Sequence, residues 1–176
     1  MGQNLEAAEK AYAAFLRALG LDETTINISE SASNTAHLMA LWMSGVGTQA
    51  PRLSLMPAPD REIVTLKELP FYSFCGHHFV PFFGTIQIDY IPEKWIAGLG
   101  GFIRVIDHFS HRPQFQENLC AQIAEHLYQD LQPTAIRVKI CARQMCLELH
   151  GKGMGIQIET VKICGDAGQF AMSNLQ

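Results

Sequence analysis

From Gly84 to Ile91 the chain reads Gly-Thr-Ile-Gln-Ile-Asp-Tyr-Ile, with apolar and polar side chains alternating. That period fits a pleated strand with one face buried and one face wet, and a helix cannot use it. The stretches Glu62 to Glu68, Ala135 to Ala142 and Gly155 to Cys164 carry the same alternation. Between the second and third strands lie two helical stretches. One falls within Ile96 to Ser110, opening at Gly98-Leu-Gly-Gly101. The other, Pro113 to Leu131, puts Leu119, Ile123, His126 and Leu127 on one face, with Pro113 in its first turn and Pro133 past its end. Strand, strand, helix, helix, strand, strand predicts an α+β fold: a four-stranded antiparallel sheet with two helices on one face.

N-terminal helices precede this unit. Leu5 to Leu19 is apolar at helical spacing and stops at Gly20; a second helix is predicted from about Ser33 to Met43. Three prolines between Thr48 and Arg61 mark a connection. The expected division is residues 1–61 as helical region and connection, 62–165 as catalytic domain and 166–176 as C-terminal tail. A sheet covered on one face leaves apolar surface and open strand edges, so a homo-oligomer joined through those edges is expected.

Net charge is −4 and no Lys/Arg cluster occurs, which argues against a nucleic-acid partner. Charges throughout the first helix, and no apolar run of ~18 residues, argue against a signal peptide or membrane span. Five cysteines, an odd number without framework spacing, suit a reducing cytoplasm in which thiols stay free or bind metal.

Cys75-Gly-His77-His78 offers a thiolate and an imidazole three residues apart, and Cys146 follows about seventy residues later. Two sulfurs and one nitrogen with an open fourth position is the ligand count of a catalytic Zn²⁺ site. His77, beside a ligand, is placed for proton transfer. Spacing alone also allows a plainer reading of the cysteines as small buried hydrophobes. Cys141 precedes Cys146 by five residues, an odd offset that turns it to the opposite face of an extended strand. Cys120 and Cys164 read as core residues, and His108 and His111 as helix-surface or helix-end residues.

The run Leu69-Pro-Phe-Tyr-Ser-Phe-Cys-Gly-His-His-Phe-Val-Pro-Phe-Phe-Gly84, with Tyr90-Ile-Pro92, Gly98-Leu99, Arg104, Arg112 and Phe115-Gln-Glu-Asn-Leu119, closely resembles the GTP cyclohydrolase I family. The resemblance spans about Glu62 to Gly151. It implies the tunnelling fold, in which subunits join their sheets into a barrel, commonly a decamer, with active sites between subunits. By resemblance Cys75, His78 and Cys146 are the zinc ligands and His77 the general acid/base. Glu117 matches the glutamate that anchors the guanine edge, with Gln116 its neighbour in the pocket. A carboxylate accepts two hydrogen bonds, and guanine offers N1–H and the 2-amino group side by side. The implied reaction adds water at C8 of a purine, opens the imidazole ring and releases that carbon as formate.

The chain departs from the family pattern where charge and proton transfer are concerned. The second catalytic histidine is Gln144, which hydrogen-bonds without shuttling a proton near neutral pH. The phosphate-binding Ser-Lys pair is Gly100-Gly101, a later phosphate-binding arginine is His150, and the residue before the His pair is Gly76. Arg104 survives among the triphosphate contacts, and Gly100-Gly101 either cradle a phosphate at a helix start or merely begin the helix. Triphosphate binding without those cations loses ~1.5–3 kcal/mol per charged hydrogen bond. The reading is therefore a zinc-dependent cyclohydrolase acting on a small purine with fewer phosphates than GTP: a nucleoside, a monophosphate, a free base or an oxidised purine. Without the second histidine the pterin-forming ring closure is expected to be absent. Three alternatives stand beside it: an ordinary GTP cyclohydrolase I, a non-catalytic purine- or pterin-binding paralogue, and a nitrile reductase of the same fold.

Overall fold

The structure is a computed structural model and describes residues 3–151, 153–168 and 170. Two helices open it, α1 (Leu5–Ala18) and α2 (Ile28–Trp42), followed by the short strand β1 (Leu55–Pro57). Then come β2 (Val64–Cys75), β3 (Pro81–Ile91), β4 (Trp95–Ala97), α3 (Leu99–Ser110) and β5 (Pro113–Gln114). The chain continues with α4 (Gln116–Leu131), β6 (Ala135–Gln144), the single turn α5 (Met145–Leu149) and β7 (Gln157–Gly165). None of the described helices is long and apolar enough to cross a membrane.

All four expected strands form one antiparallel run, β2-β3-β6-β7, and β5 adds a fifth strand at the edge, parallel to β2. Pro113, expected inside the second long helix, lies in β5 instead. There the carbonyl of Gln114 accepts the N–H of Gly76 at 2.9 Å, which holds the segment extended until α4 starts. The second N-terminal helix begins at Ile28, ahead of the predicted Ser33. Asn27 caps it, accepting from the Glu30 N–H and donating to the Glu30 carboxylate, both at 3.1 Å.

Helices α3 and α4 cover one face of the sheet. Phe102, Val105, Ile106, Leu119, Ile123 and Leu127 pack on Phe82, Ile86, Ile88, Ile136, Val138 and Ile140, all buried. The centre of the opposite face is polar, not apolar as expected. Asp89, 1% exposed, accepts from Thr65 (2.8 Å), from Gln87 and from Nε of Arg137 (2.9 Å), so charge is neutralised on the face opposite α3 and α4. Apolar exposure is found on Tyr72, Val161 and Ile163, and β7 pairs only with β6 among the described residues.

One irregularity positions the functional end of β2. The register with β3 slips between Leu66 and Leu69, with Glu68 at φ 55°. A bulged residue reverses which parity faces the core. Val64 and Leu66 face inward before the slip; Phe71, Ser73 and Cys75 do so after it. The N-terminal helices dock near the same end of the sheet through Trp42, whose ring lies 4.8 Å from His111 and 5.6 Å from Tyr72. Gly45 makes that approach possible: its N–H donates to the His111 carbonyl, and a Cβ there would sit 2.1 Å from the His108 carbonyl.

Residues 166–176 were expected to be a tail. Phe170 is nevertheless buried, with the Arg137 guanidinium 5.0 Å above its ring; residues 169 and 171–176 lie outside the described residues.

Candidate metal centre

Cys75 ends β2 and the chain turns at once. The Cys75 carbonyl accepts from Phe79 N–H and its own N–H donates to the Val80 carbonyl, both at 2.9 Å, while Phe79 takes φ 54°. This tight turn folds His78 back over the thiol, with Sγ to Nδ1 at 4.0 Å. Cys146 reaches the same point from α5, two residues after β6 ends. The ligand atoms of Cys75, His78 and Cys146 all lie within 4.8 Å of one another, and they form the one such group among the described residues. Tetrahedral zinc, with Zn–S near 2.3 Å and Zn–N near 2.0–2.1 Å, sets ligand atoms about 3.5–3.8 Å apart. The donor set fits the ion with a small contraction.

Burial, and then the neighbouring Cys75 thiol, push the Cys146 thiol above its ordinary pKa. A dication between two such sulfurs reverses that preference by stabilising both thiolates. Cys141 stands apart as expected, its Sγ donating to Gln157 Oε1 at 3.4 Å. Cys120 and Cys164 are held protonated by burial, Cys120 at about 11, and so behave as core thiols.

A cavity of about 220 Å³ opens beside the three ligands. It is lined by Cys75, Cys146, Gln114, Phe115, Gln116, Glu117, Gln144, Leu147 and Ile158. Glu117, exposed in the first turn of α4, is its one carboxylate among the described residues. Gln116 is 4% exposed and its amide is consumed by the fold: Nε2 donates to the carbonyls of Ile158 (2.8 Å) and Ile140 (3.3 Å) and lies 3.3 Å from the Thr160 hydroxyl. Its Oε1 accepts from Gln144 Nε2 at 2.8 Å. The exposed His77 ring lies 4.2 Å from that of His78, and His150, the residue after α5, places its ring 6.0 Å from His78.

The remaining predicted residues do not join this cavity within one chain. Arg104 is exposed on α3, and its guanidinium folds back over the helix start: a Cβ on Gly100 would meet Nη1 at 3.5 Å. It lines a separate cavity of about 280 Å³ with Ser44, Gly45, Pro51, Asp107, His108 and His111. Gly101 is buried under Leu53, where a Cβ would come within 2.8 Å of that side chain, so close packing accounts for it. Phe115, Leu147 and Ile158 were missed in the sequence. Phe115 and Leu147 adjoin named site residues, whereas Ile158 enters only through the pairing of β6 with β7.

Comparison with known proteins places this geometry in context. A family model described as GTP cyclohydrolase I matches residues 8–172. The GTP cyclohydrolase 1 of Lactiplantibacillus plantarum is 38% identical over 154 residues, covering 85% of this chain and 80% of that protein. That of Sulfurihydrogenibium sp. is 34% identical over 143 residues, covering 81% and 76%. Among solved structures, the apo archaeosine synthase QueF-Like superposes with a TM-score of 0.51 at 18% identity, over 62% of this chain and 98% of that one. This last likeness is one of fold, the tunnelling fold.

Proposed function

The chain belongs to the GTP cyclohydrolase I family, and on that premise we propose that it is a zinc-dependent hydrolase adding water at C8 of a guanine-type purine that carries fewer phosphates than GTP. The observation that carries the metal is the convergence of Cys75, His78 and Cys146 beside a cavity lined by the carboxylate of Glu117. Zinc held by Cys75, His78 and Cys146 would lower the pKa of a bound water toward ~7 and so supply a nucleophile at neutral pH. Glu117 accepts the N1–H and 2-amino hydrogens of the base and sets its orientation. His77 would move a proton at the imidazole ring as a first water opens one C8–N bond to a formamide; a second water then breaks the remaining C8–N bond and the carbon leaves as formate.

Among the described residues no lysine or arginine lines the metal-side cavity, which favours a ligand of low charge on this part of the site. Arg104, with the exposed Gly100, would reach the other end of the ligand from a second copy of the chain, in a ring closed through the open sheet edges. A decamer with sites between subunits accords with this arrangement and with the family.

A formate-release assay with GTP, GMP and guanosine tests the reading. Turnover of guanosine or GMP at least matching that of GTP is expected, with loss of activity on zinc chelation. The names of the relatives favour a second reading, an ordinary GTP cyclohydrolase I. Conversion of GTP to dihydroneopterin triphosphate as the best reaction would establish that one and remove the altered substrate.

A further inference from the structure

Phe115 is the one aromatic side chain lining the metal-side cavity among the described residues, and it is 51% exposed. Tyr72 stacks on Phe83 and Phe74 lies against Phe79, but no other described ring meets Phe115. Its backbone is held at both ends. Phe115 is the single residue between β5 and α4. The Gln114 carbonyl before it accepts from Gly76 N–H, and its own carbonyl accepts from Leu119 N–H, both at 2.9 Å. The ring itself lies against Gly76. A Cβ there would stand 3.7 Å from Cε2, so the ring fills the flank along which a longer side chain would extend. Gly76 is one of the departures from the family pattern, and it keeps that flank apolar. The neighbouring amides are occupied elsewhere: Gln114 Nε2 donates to the Phe109 carbonyl and to Gln122 Oε1, both at 2.9 Å, and Gln116 Nε2 is turned to the sheet.

We infer that Phe115 is a specificity-determining residue, the platform on which the flat face of the base stacks. This rests on the cyclohydrolase reading, in which Glu117, two residues on, holds the N1–H and 2-amino edge. Those hydrogen bonds lie in the plane of the base and leave both of its faces to be covered by something else. An aromatic side chain meets a base through its π-face, whatever sugar or phosphate the base carries. Stacking therefore supplies affinity that no phosphate has to provide, in a cavity lined by no lysine or arginine among the described residues. The ligand class is planar bicyclic purines, with nucleoside and nucleotide held alike at the base.

Calorimetric titration of the zinc-loaded His77→Gln chain, which separates binding from turnover, tests this with guanosine and GTP. Adding Phe115→Ala should weaken both ligands at least about tenfold, and by the same factor, with zinc content unchanged. Adding Phe115→Leu keeps an apolar side chain without the π-face and should weaken both about fivefold. Adding Phe115→Tyr or Phe115→Trp should hold both affinities within about twofold of the parent. In the Phe115→Trp chain guanosine should also quench tryptophan emission beyond any change in the parent, whose tryptophans are Trp42 and Trp95. Affinities unchanged by Phe115→Ala, aromatic variants that lose as much as the leucine one, or a Phe115→Trp chain without quenching each overturn the inference. If either ligand binds and yields formate while affinity ignores residue 115, the platform alone fails. If neither ligand binds and the unaltered chain releases formate from neither, the cyclohydrolase reading fails with it.

Discussion

Burial first, and then the Cys75 thiol beside it, hold the Cys146 thiol above its ordinary pKa. Replacing Cys146 with serine removes a soft ligand and should lower bound zinc from about one ion per chain to below about 0.1, by elemental analysis. Glu117→Gln keeps the size of the side chain and exchanges one acceptor for a donor. It should lower kcat/KM for a guanine nucleoside by about 100-fold, with metal content unchanged. His108 carries a separate, pH-dependent expectation. Burial, then Arg112 and His126, push its pKa below the ordinary value, so the unfolded chain takes up its proton first as pH falls. Its contribution is complete above the ordinary histidine pKa of about 6.5 and is lost below it as pH falls through the depressed value. Thermal melts of His108→Gln should therefore lose less Tm between pH 7 and pH 5 than the parent does. The candidate metal ligands were legible in the sequence because few residue types bind zinc. The role of Gln116 was not, because its partners are backbone carbonyls 24 and 42 residues away, and carbonyls carry no residue identity.

At the scale of elements, the short helix α5 presents Cys146, and one side-chain pair ties it to the sheet. Arg143 on β6 makes two hydrogen bonds to the Glu148 carboxylate, at 2.8 and 2.7 Å, and lies over the Phe83 ring. Glu148→Ala frees that turn and should weaken zinc binding about tenfold in a chelator competition, as outer-shell losses do. Gly84 makes the opposite kind of demand. A Cβ there would fall 2.0 Å from the Cys141 carbonyl of the paired strand, so Gly84→Ala should cost about 3 kcal/mol in denaturant unfolding. The strands themselves were readable from alternation, including the cleanest of them, β3. The far half of β2 was not, because the slip at residues 67–68 interrupts its period and the aromatic residues beyond it fill both faces. Pro113 misled for a related reason: a proline suits a helix start and an edge strand equally, and the choice is made by Gly76, on a distant segment.

For the whole molecule, the separation of Arg104 from the metal-side cavity sets a test of assembly. Arg104→Ala and Cys146→Ser chains should each be inactive alone. Refolded together they should recover about a quarter of the activity, since a site shared by two chains then draws both intact halves by chance. A site complete within one chain would recover none. The slip in β2 bears on how such a chain is to be read at all. Its two halves are set in different frames, like a text shifted by one letter midway. Removing one residue near position 67 would leave Cys-Gly-His-His unaltered to any reader of the sequence, yet would turn Cys75 to the other side of the sheet. The motif names the ligands, and a residue eight positions upstream decides whether they meet.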